Sequence, residues 1–476
     1  MVVVSTASRL SLPNGQLLIS TDKSVWLRPG KTYLFGRTKE NNPRNRFQVE
    51  NKSISRHHLT LSVASVGVGD GSNVRKRSSL ALKDEGSKFG TEIDGTRLKG
   101  DTKVLAGGEH EFRLGNADQI FRLRWQPVVF TFSLTSKESK ASKDPLAGYR
   151  NRLEHLDIKV VEPYLPESVT HVVAGKRNTA KGLSALINGR FIVSERFIDA
   201  VVEITTSIDL THEEAPSRLE EDFDSHWPNA LAYLPDRSKE TTSPPEAFLP
   251  NPSRVTVFEG YTFVFCDPAQ FELLQAPITQ GGGKAVHCVV TPGQTTSEEV
   301  VRYVKTVAGE KGLGEFEDGS EGKGVVVVKF RGKGKHEEWA ARLDYEIAQA
   351  LDHRLIEQSE FLDAILSNDA STLRRPLLPD EDSARIHPER QHDDPATSDK
   401  PALSTKETNL RRKRGPIVSK FKGFDDDDED AFSLSGPSSA TPQTNGVNGS
   451  TRSAAPEVCA HILHLQYLTV PPDVFF

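Results

Sequence analysis

The chain has 476 residues, which at roughly 100–200 residues per domain allows two to four domains and argues against one compact core. With 36% hydrophobic and 26% charged residues and a mean hydropathy of −0.47, it is lean for a wholly globular protein, so part of it is expected to be unfolded. A formal net charge of −6 argues against nucleic-acid binding through overall positive charge, although local basic patches remain compatible with it.

Cys266, Cys288 and Cys459 are too far apart for a zinc-ligand spacing and too few for a disulfide framework, which points to a reducing compartment. The chain has neither a signal-peptide pattern near Met1 nor an apolar run long enough to span a bilayer, so a soluble, intracellular protein is expected.

From Gly15 to Trp125, short runs of β-forming residues alternate with turn residues: Gln16–Ile19, Thr32–Gly36, Leu59–Val63, Ser79–Leu82, Glu92–Ile93 and Phe121–Trp125. This pattern predicts an all-β sandwich. After Pro127 strands alternate with helices. Strands are expected at Val128–Ser133, Ile158–Val161, Thr170–Ala174 and Phe191–Val193, and helices at Asp144–Leu156, Thr179–Asn188 and Glu195–Val202. That alternation predicts a small parallel sheet with helices on its faces.

Glu203–Arg254 carries seven prolines and no sustained periodicity, so it reads as a linker, with Phe223, Trp227 and Tyr233 able to pin part of it to a neighbouring surface. A second α/β pattern follows: strands at Tyr261–Cys266, Ala285–Val290, Val325–Phe330 and Arg354–Ile356, and helices near Pro268–Leu274, at His336–Leu351 and at Ser359–Leu366. Beyond about Leu378 the composition is that of a disordered tail. The tail holds a basic run, Arg411, Arg412, Lys413 and Arg414, and an acidic run, Asp425–Asp430. No physical account is evident for the apolar end, Cys459–Phe476.

Three groups in the β-region sit where strands run into loops: Phe35-Gly36-Arg37, Ser53-Ile54-Ser55-Arg56-His57-His58 and Ser87-Lys88-Phe89-Gly90-Thr91. Guanidinium, ammonium and hydroxyl groups converging on one rim suit a phosphate, through charge-assisted and partly bidentate hydrogen bonds. Taken singly, each group could equally be ordinary surface and turn residues. In this order they resemble the forkhead-associated (FHA) family, an eleven-stranded sandwich that binds phosphothreonine. The resemblance implies that Arg37, Ser55, Arg56 and Lys88 contact phosphate or peptide. It also implies that Gly36, His58, Gly90 and Thr91 shape the loops. Phe89 stands where the family usually has Asn, and Asp94-Gly95 replaces its later Asn-Gly.

The two α/β segments resemble BRCT repeats, which have four-stranded parallel sheets and are often paired to bind phosphoserine. That resemblance makes Ser136 and Lys181 the candidate phosphate contacts of the first repeat; as solvent-exposed side chains they would carry no role. The stretches SISRHH, LKDEGSKFGT, LSALINGRFIVSERF and GYTFVF followed by GGGKAV, in this order of modules, resemble the nibrin family.

The expected architecture is therefore multidomain. An FHA sandwich (15–126), a first BRCT repeat (127–204), a linker (205–254) and a second BRCT repeat (255–368) precede a disordered tail (369–476).

The resemblance implies a nuclear scaffold at double-strand breaks that binds acidic phosphothreonine and phosphoserine motifs. Its implied partners are the nuclease and SMC-like ATPase of the MRN repair complex and an ATM-type checkpoint kinase, with DNA contacted mainly through them and no membrane contact. Arg411–Arg414 would serve as an import signal, or else be a solvated charge run. Lys420, Phe421, Lys422 and Phe424 resemble the family's nuclease-holding segment. No metal, cofactor or catalytic residue is expected: Gly281-Gly282-Gly283-Lys284 lacks the Walker spacing, and no nucleophile and third partner accompany His57. The alternatives are another FHA/BRCT adaptor or a DNA-end-processing enzyme.

Overall fold

A computed structural model describes residues 1–11, 17–38, 46–105, 107–208, 215–236, 243–309, 323–332 and 334–377. The tail motifs at 411–414 and 420–424, the acidic run and Cys459–Phe476 lie outside the described residues.

The N-terminal strands are β1 (Val2–Ser11), β2 (Leu17–Leu27), β3 (Thr32–Gly36), β4 (Arg46–Gln48), β5 (Leu59–Val63) and β6 (Leu80–Asp84). They continue with β7 (Thr91–Ile93), β8 (Thr96–Leu98), β9 (Thr102–Leu105), β10 (Glu109–Leu114) and β11 (Ile120–Trp125). They form two sheets, β2-β1-β11-β10-β7-β8 and β4-β3-β5-β6-β9. In β5, Leu59, Leu61 and Val63 are buried while Thr60 and Ser62 are half-buried, the alternation of a strand with one core face. Phe35 of β3 anchors that core, stacked on Phe47 at 4.4 Å and meeting Phe112 and Phe121 edge-on at 5.3 and 5.2 Å.

The sandwich includes β1, upstream of the start at residue 15 expected from the sequence. Val2 and Val4 of β1 join the sandwich core, whereas Val3 joins the core of the next domain with Trp26 of β2. A strand buried on both faces shows no alternation, so Met1–Val4 reads only as a short apolar run.

The first α/β domain comprises β12 (Val129–Ser133), α1 (Ser136–Ala141), α2 (Ala147–Leu153), β13 (Lys159–Val161), β14 (His171–Ala174), α3 (Ala180–Ile187), β15 (Phe191–Val193) and α4 (Glu195–Thr205). Its sheet is parallel, in the order β13-β12-β14-β15.

The expected linker is instead a buttress. It contains α5 (Arg218–Glu221), α6 (Phe223–His226) and three 3-10 turns, and it buries Leu219, Phe223 and Phe248. Its prolines break the chain into pieces too short to show a period, but each piece still buries apolar side chains. Phe223 stacks on Trp227 at 5.3 Å, and Tyr233 packs against Phe197 at 5.7 Å.

The second α/β domain has β16 (Thr262–Phe265), α7 (Pro268–Gln280), β17 (Lys284–His287), α8 (Ser297–Ala308), β18 (Val325–Val328), α9 (Glu337–Leu351) and α10 (Glu360–Ser367). The sequence reading missed α8, although Thr296 and Glu299 form a capping box and Val300, Val301 and Val304 are buried at helical spacing. The sheet is β17-β16-β18, and the strand expected at Arg354–Ile356 is reduced to one bridge, Val328 to Ile356. Beside that bridge the Arg354 N–H donates to Arg375 O at 3.1 Å rather than to the sheet. Gly281 and Gly283 are packing glycines, since a Cβ there would fall 2.6 and 2.8 Å from Phe258. Residues past 369 also belong to this body, with Leu373 and Arg374 buried. The two α/β domains share one core in which Leu183, Leu186 and Ile187 of α3 meet Leu274 and Ile278 of α7 and Ile365 of α10.

Glu220, on α5, ties the buttress to the sandwich. Its carboxylate accepts from Arg28 Nε at 3.0 Å, Lys31 Nζ at 3.1 Å, Tyr33 Oη at 3.2 Å and its own helix cap, Ser217 N–H, at 2.9 Å. Arg28 also donates to the Thr205 carbonyl. Burial pushes the Glu220 acid up, but the Arg28 charge, the Ser217 N–H and Lys31 outweigh it and hold the group below its ordinary value of 4.5.

Glu220→Gln leaves both cations facing a neutral amide. Arg28 and Lys31 keep 20% and 16% exposure, so the expected cost is near 2 kcal/mol rather than the ~3–5 kcal/mol of a fully buried broken pair. Because the folded carboxyl is the stronger acid, its contribution is complete above about pH 4.5 and is lost as pH falls through the lower folded value. Urea denaturation of both proteins across that range should show the wild-type advantage shrinking in acid. A difference independent of pH would rule out the ion-pair account.

Candidate functional site

The end of β3 receives three loops. Gly36 closes the strand so tightly against the loop 53–58 that a Cβ would lie 1.9 Å from the Arg56 carbonyl oxygen. Only glycine allows that approach. The Arg37 N–H then donates to Ser55 O at 3.1 Å, and the His58 N–H to Phe35 O at 2.9 Å. Arg37, Arg56 and Lys88 are exposed, and Ser55 is half-buried. The Ser55 hydroxyl accepts from the Lys88 N–H at 3.2 Å, joining the second loop to the third and leaving the hydroxyl proton to donate outward. The Lys88 ammonium lies 5.3 Å from the centroid of the Phe89 ring, so the residue standing where the FHA family has Asn positions the cation.

Beneath this rim lies a buried layer that sequence reasoning found only in part. His58 has no exposure. Its Nδ1 accepts from the Ser55 N–H at 3.1 Å, so Nε2 carries the proton and donates to Gly90 O at 3.1 Å. Asp84 was not among the expected site residues. Its carboxylate accepts from Ser87 N–H at 2.9 Å, Ser87 Oγ at 2.7 Å, Thr91 Oγ1 at 2.8 Å and Gly100 N–H at 2.9 Å. Burial raises the acid, and these hydrogen bonds more than reverse that, leaving it below the ordinary carboxylate value. Asp84-x-x-Ser87 was the available signal, a short-range side-chain turn. Gly90 adopts φ +73°, and a Cβ there would approach Leu98 O to 2.7 Å.

The first-repeat candidates are not solvent-exposed. Ser136 opens α1, is buried, and has an Oγ with no hydrogen-bond partner. The Lys181 Nζ donates to Phe132 O and Glu162 O, both at 2.8 Å. Burial lowers its pKa, partly offset by Glu162. Both residues therefore sit at the C-terminal end of β12, Lys181 through the Phe132 carbonyl and Ser136 just beyond the strand. Among the described residues no cluster of His, Cys, Asp and Glu could hold a metal. Cys266 and Cys288 are buried free thiols in the core.

An eleven-stranded sandwich with this rim, followed by two parallel α/β units, defines an FHA domain with tandem BRCT domains. Residues 33–115 match the FHA domain model, and residues 252–376 match the model of the second BRCT domain on Nijmegen syndrome breakage protein. Chicken nibrin is 24% identical over 237 residues, 50% of this chain and 28% of that protein. Zebrafish nibrin is 24% identical over 266 residues, 56% of this chain and 28% of its own length. The chain thus spans about 28% of the length of these curated relatives. A structure of the S. pombe Nbs1 FHA-BRCT1-BRCT2 domains aligns at 16% identity with a TM-score of 0.44, over 77% of this chain and 99% of that one. Over these modules the chain resembles nibrin-type proteins.

Two measurements probe the rim's framework. Gly36→Ala forces backbone apart and should cost about 1–3 kcal/mol in denaturant unfolding; no loss would show the close approach to be slack. Burial depresses His58 below its ordinary 6.5, only partly offset by the Gly90 carbonyl and Asp84. The folded state therefore disfavours the imidazolium, and the stability His58 contributes is full above about pH 6.5 and declines as pH falls through the folded value. Nitrogen-detected NMR should find the neutral Nε2–H tautomer persisting below pH 6.5, and an imidazolium at that pH would contradict the hydrogen-bond assignment.

Proposed function

We propose that the chain is a non-catalytic, phosphopeptide-binding adaptor of DNA double-strand-break repair. The observation that carries this reading is the convergence of Arg37, Ser55, Arg56 and Lys88 on the end of β3. The guanidiniums would grip phosphate oxygens bidentately, and the Ser55 hydroxyl and Lys88 ammonium would complete the shell. FHA and nibrin resemblance makes phosphothreonine the ligand. In the first repeat, the unpartnered Ser136 hydroxyl and the third N–H of the Lys181 ammonium would hold a phosphoserine. The shared cores fix the two sites relative to each other, so a doubly phosphorylated partner would gain effective concentration. By the same resemblance, the protein would work in the nucleus, recruit nuclease and SMC-like ATPase subunits, and support ATM-type kinase signalling. Residues 411–414 and 420–424 would serve import and nuclease binding.

Isothermal titration with acidic peptides carrying phosphothreonine, phosphoserine or both tests this. Arg37→Ala and Ser55→Ala should each weaken phosphothreonine binding by about 10- to 100-fold, the range for one charge-assisted contact. Lys181→Ala should weaken only the phosphoserine arm. Phosphothreonine binding unchanged by both sandwich substitutions would sink the assignment. Retention of the nuclease by the full chain but not by one cut after Leu378 would place that contact in the tail.

A further inference from the structure

The connection between β5 and β6 lies at the end of the sandwich away from the phosphate rim, since Ser62 of β5 pairs with Thr32 at the start of β3. Three anchors fix it to the first BRCT domain. The Gly71 N–H donates to Glu154 Oε1 at 2.9 Å, and the Ser78 N–H to Asp157 Oδ2 at 3.3 Å. Val74 packs against Val129, Val161 and Val172. Arg75, Lys76 and Arg77, held between these anchors, are exposed, and no carboxylate among the described residues pairs with them.

Beside this run the seam between the two domains opens into a cleft of about 480 Å³. Asn73 and Arg75 line it from the sandwich, and Arg150, Val161, Pro163 and Leu165 from the BRCT domain. The Arg150 Nη1 is engaged by Asp144 at 2.5 Å, but its Nε is buried with no hydrogen-bond partner. The wall is β13, the edge strand of its sheet.

We propose that this seam cleft is a separate docking site for an acidic stretch of a partner polypeptide with an aliphatic residue among its Asp and Glu. The carboxylates would meet Arg75, Lys76 and Arg150, and the aliphatic side chain would cover Val161, Pro163 and Leu165. A polypeptide suits the cleft better than a nucleic acid for two reasons. The wall is an edge strand, the element to which an extended peptide adds. Glu162 also lines the cleft, interrupting the positive surface that a continuous phosphate backbone needs.

Fluorescence anisotropy of the full chain with a labelled peptide of alternating Asp and Glu around a central Leu tests the site. Arg75→Glu with Lys76→Glu should weaken binding about tenfold or more, and Arg150→Gln should weaken it too. Arg37→Ala should leave it unchanged. The substituted side chains are exposed or partly exposed, and a thermal melt matching wild type confirms folding. Binding indifferent to the double charge reversal overturns the proposal. So does probe displacement by a phosphothreonine peptide, which would place the probe on the rim. Displacement by an oligonucleotide with the same Arg75 dependence overturns it as well, by making the surface one for nucleic acid.

Discussion

At Val3 and Trp26 the outer face of the six-stranded sheet is taken into the core of the first BRCT domain. Everything else in the arrangement depends on that shared interior. Apolar burial of this kind is non-directional and fixes separation rather than orientation. Orientation comes from polar contacts at its margin. Glu220 collects Arg28, Lys31 and Tyr33 on one side. Asp157 takes the Lys159 ammonium at 2.8 Å and the Ser78 N–H on another, while Trp125 Nε1 donates to Ser78 O at 2.8 Å. Groups buried in this way are costly to leave unpaired, so the two domains lose more by sliding than by staying in register.

The consequence reaches the phosphate rim through β3. Tyr33, near the start of that strand, bonds to Glu220, and Gly36 at its other end seats the rim loops. Phe35 between them is clamped by three aromatic rings. One five-residue strand thus carries the domain junction at one end and the binding loops at the other, which leaves the rim facing away from the BRCT domains. Beneath the rim, His58 and Asp84 absorb the backbone donors and acceptors that three converging loops would otherwise leave buried and unpaired. The rim cations Arg37, Arg56 and Lys88 stay exposed above this layer.

The strands β2, β3, β5, β6, β7 and β11 were legible at least in part because they alternate, and α3, α4, α9 and α10 because their apolar residues recur at helical spacing. The short strands β4, β8 and β9 and the charged β10 were not read, and pieces with no period escaped as well. The start of β1, Val2–Val4, is buried on both faces, and α5 and α6 are four residues each. The signal for α8 was present in Thr296 and Glu299, but its neighbourhood reads as a glycine-rich, acidic stretch. At the rim, the exposed residues could be named from motif order. Asp84 could not, because a buried carboxylate surrounded by hydroxyl and N–H donors becomes visible only when loops distant in sequence meet. Glu220 escaped for the same reason, its partners lying almost two hundred residues upstream.

The two BRCT domains also differ in the chemistry at the C-terminal ends of their strands, which bears on where phosphate could be read. In the first, β12 leads to an unpartnered Ser136 hydroxyl and a lysine held by the Phe132 carbonyl of β12 and the Glu162 carbonyl after β13. In the second, β16 leads to the Cys266 thiol, whose pKa is raised by its contact with Cys288 and by burial, and then to Asp267, which caps α7 by accepting from the Ala269 N–H at 2.8 Å. Asp344 stands nearby, pushed by burial up to about 7 despite the Phe330 N–H and Lys329. Two of the described cations there are engaged: Lys329 and Arg331 both bind Glu357, at 3.0 and 2.7 Å. The pair is therefore asymmetric at these strand ends among the described residues, and the second repeat contributes its α7 and α10 surfaces to the shared core.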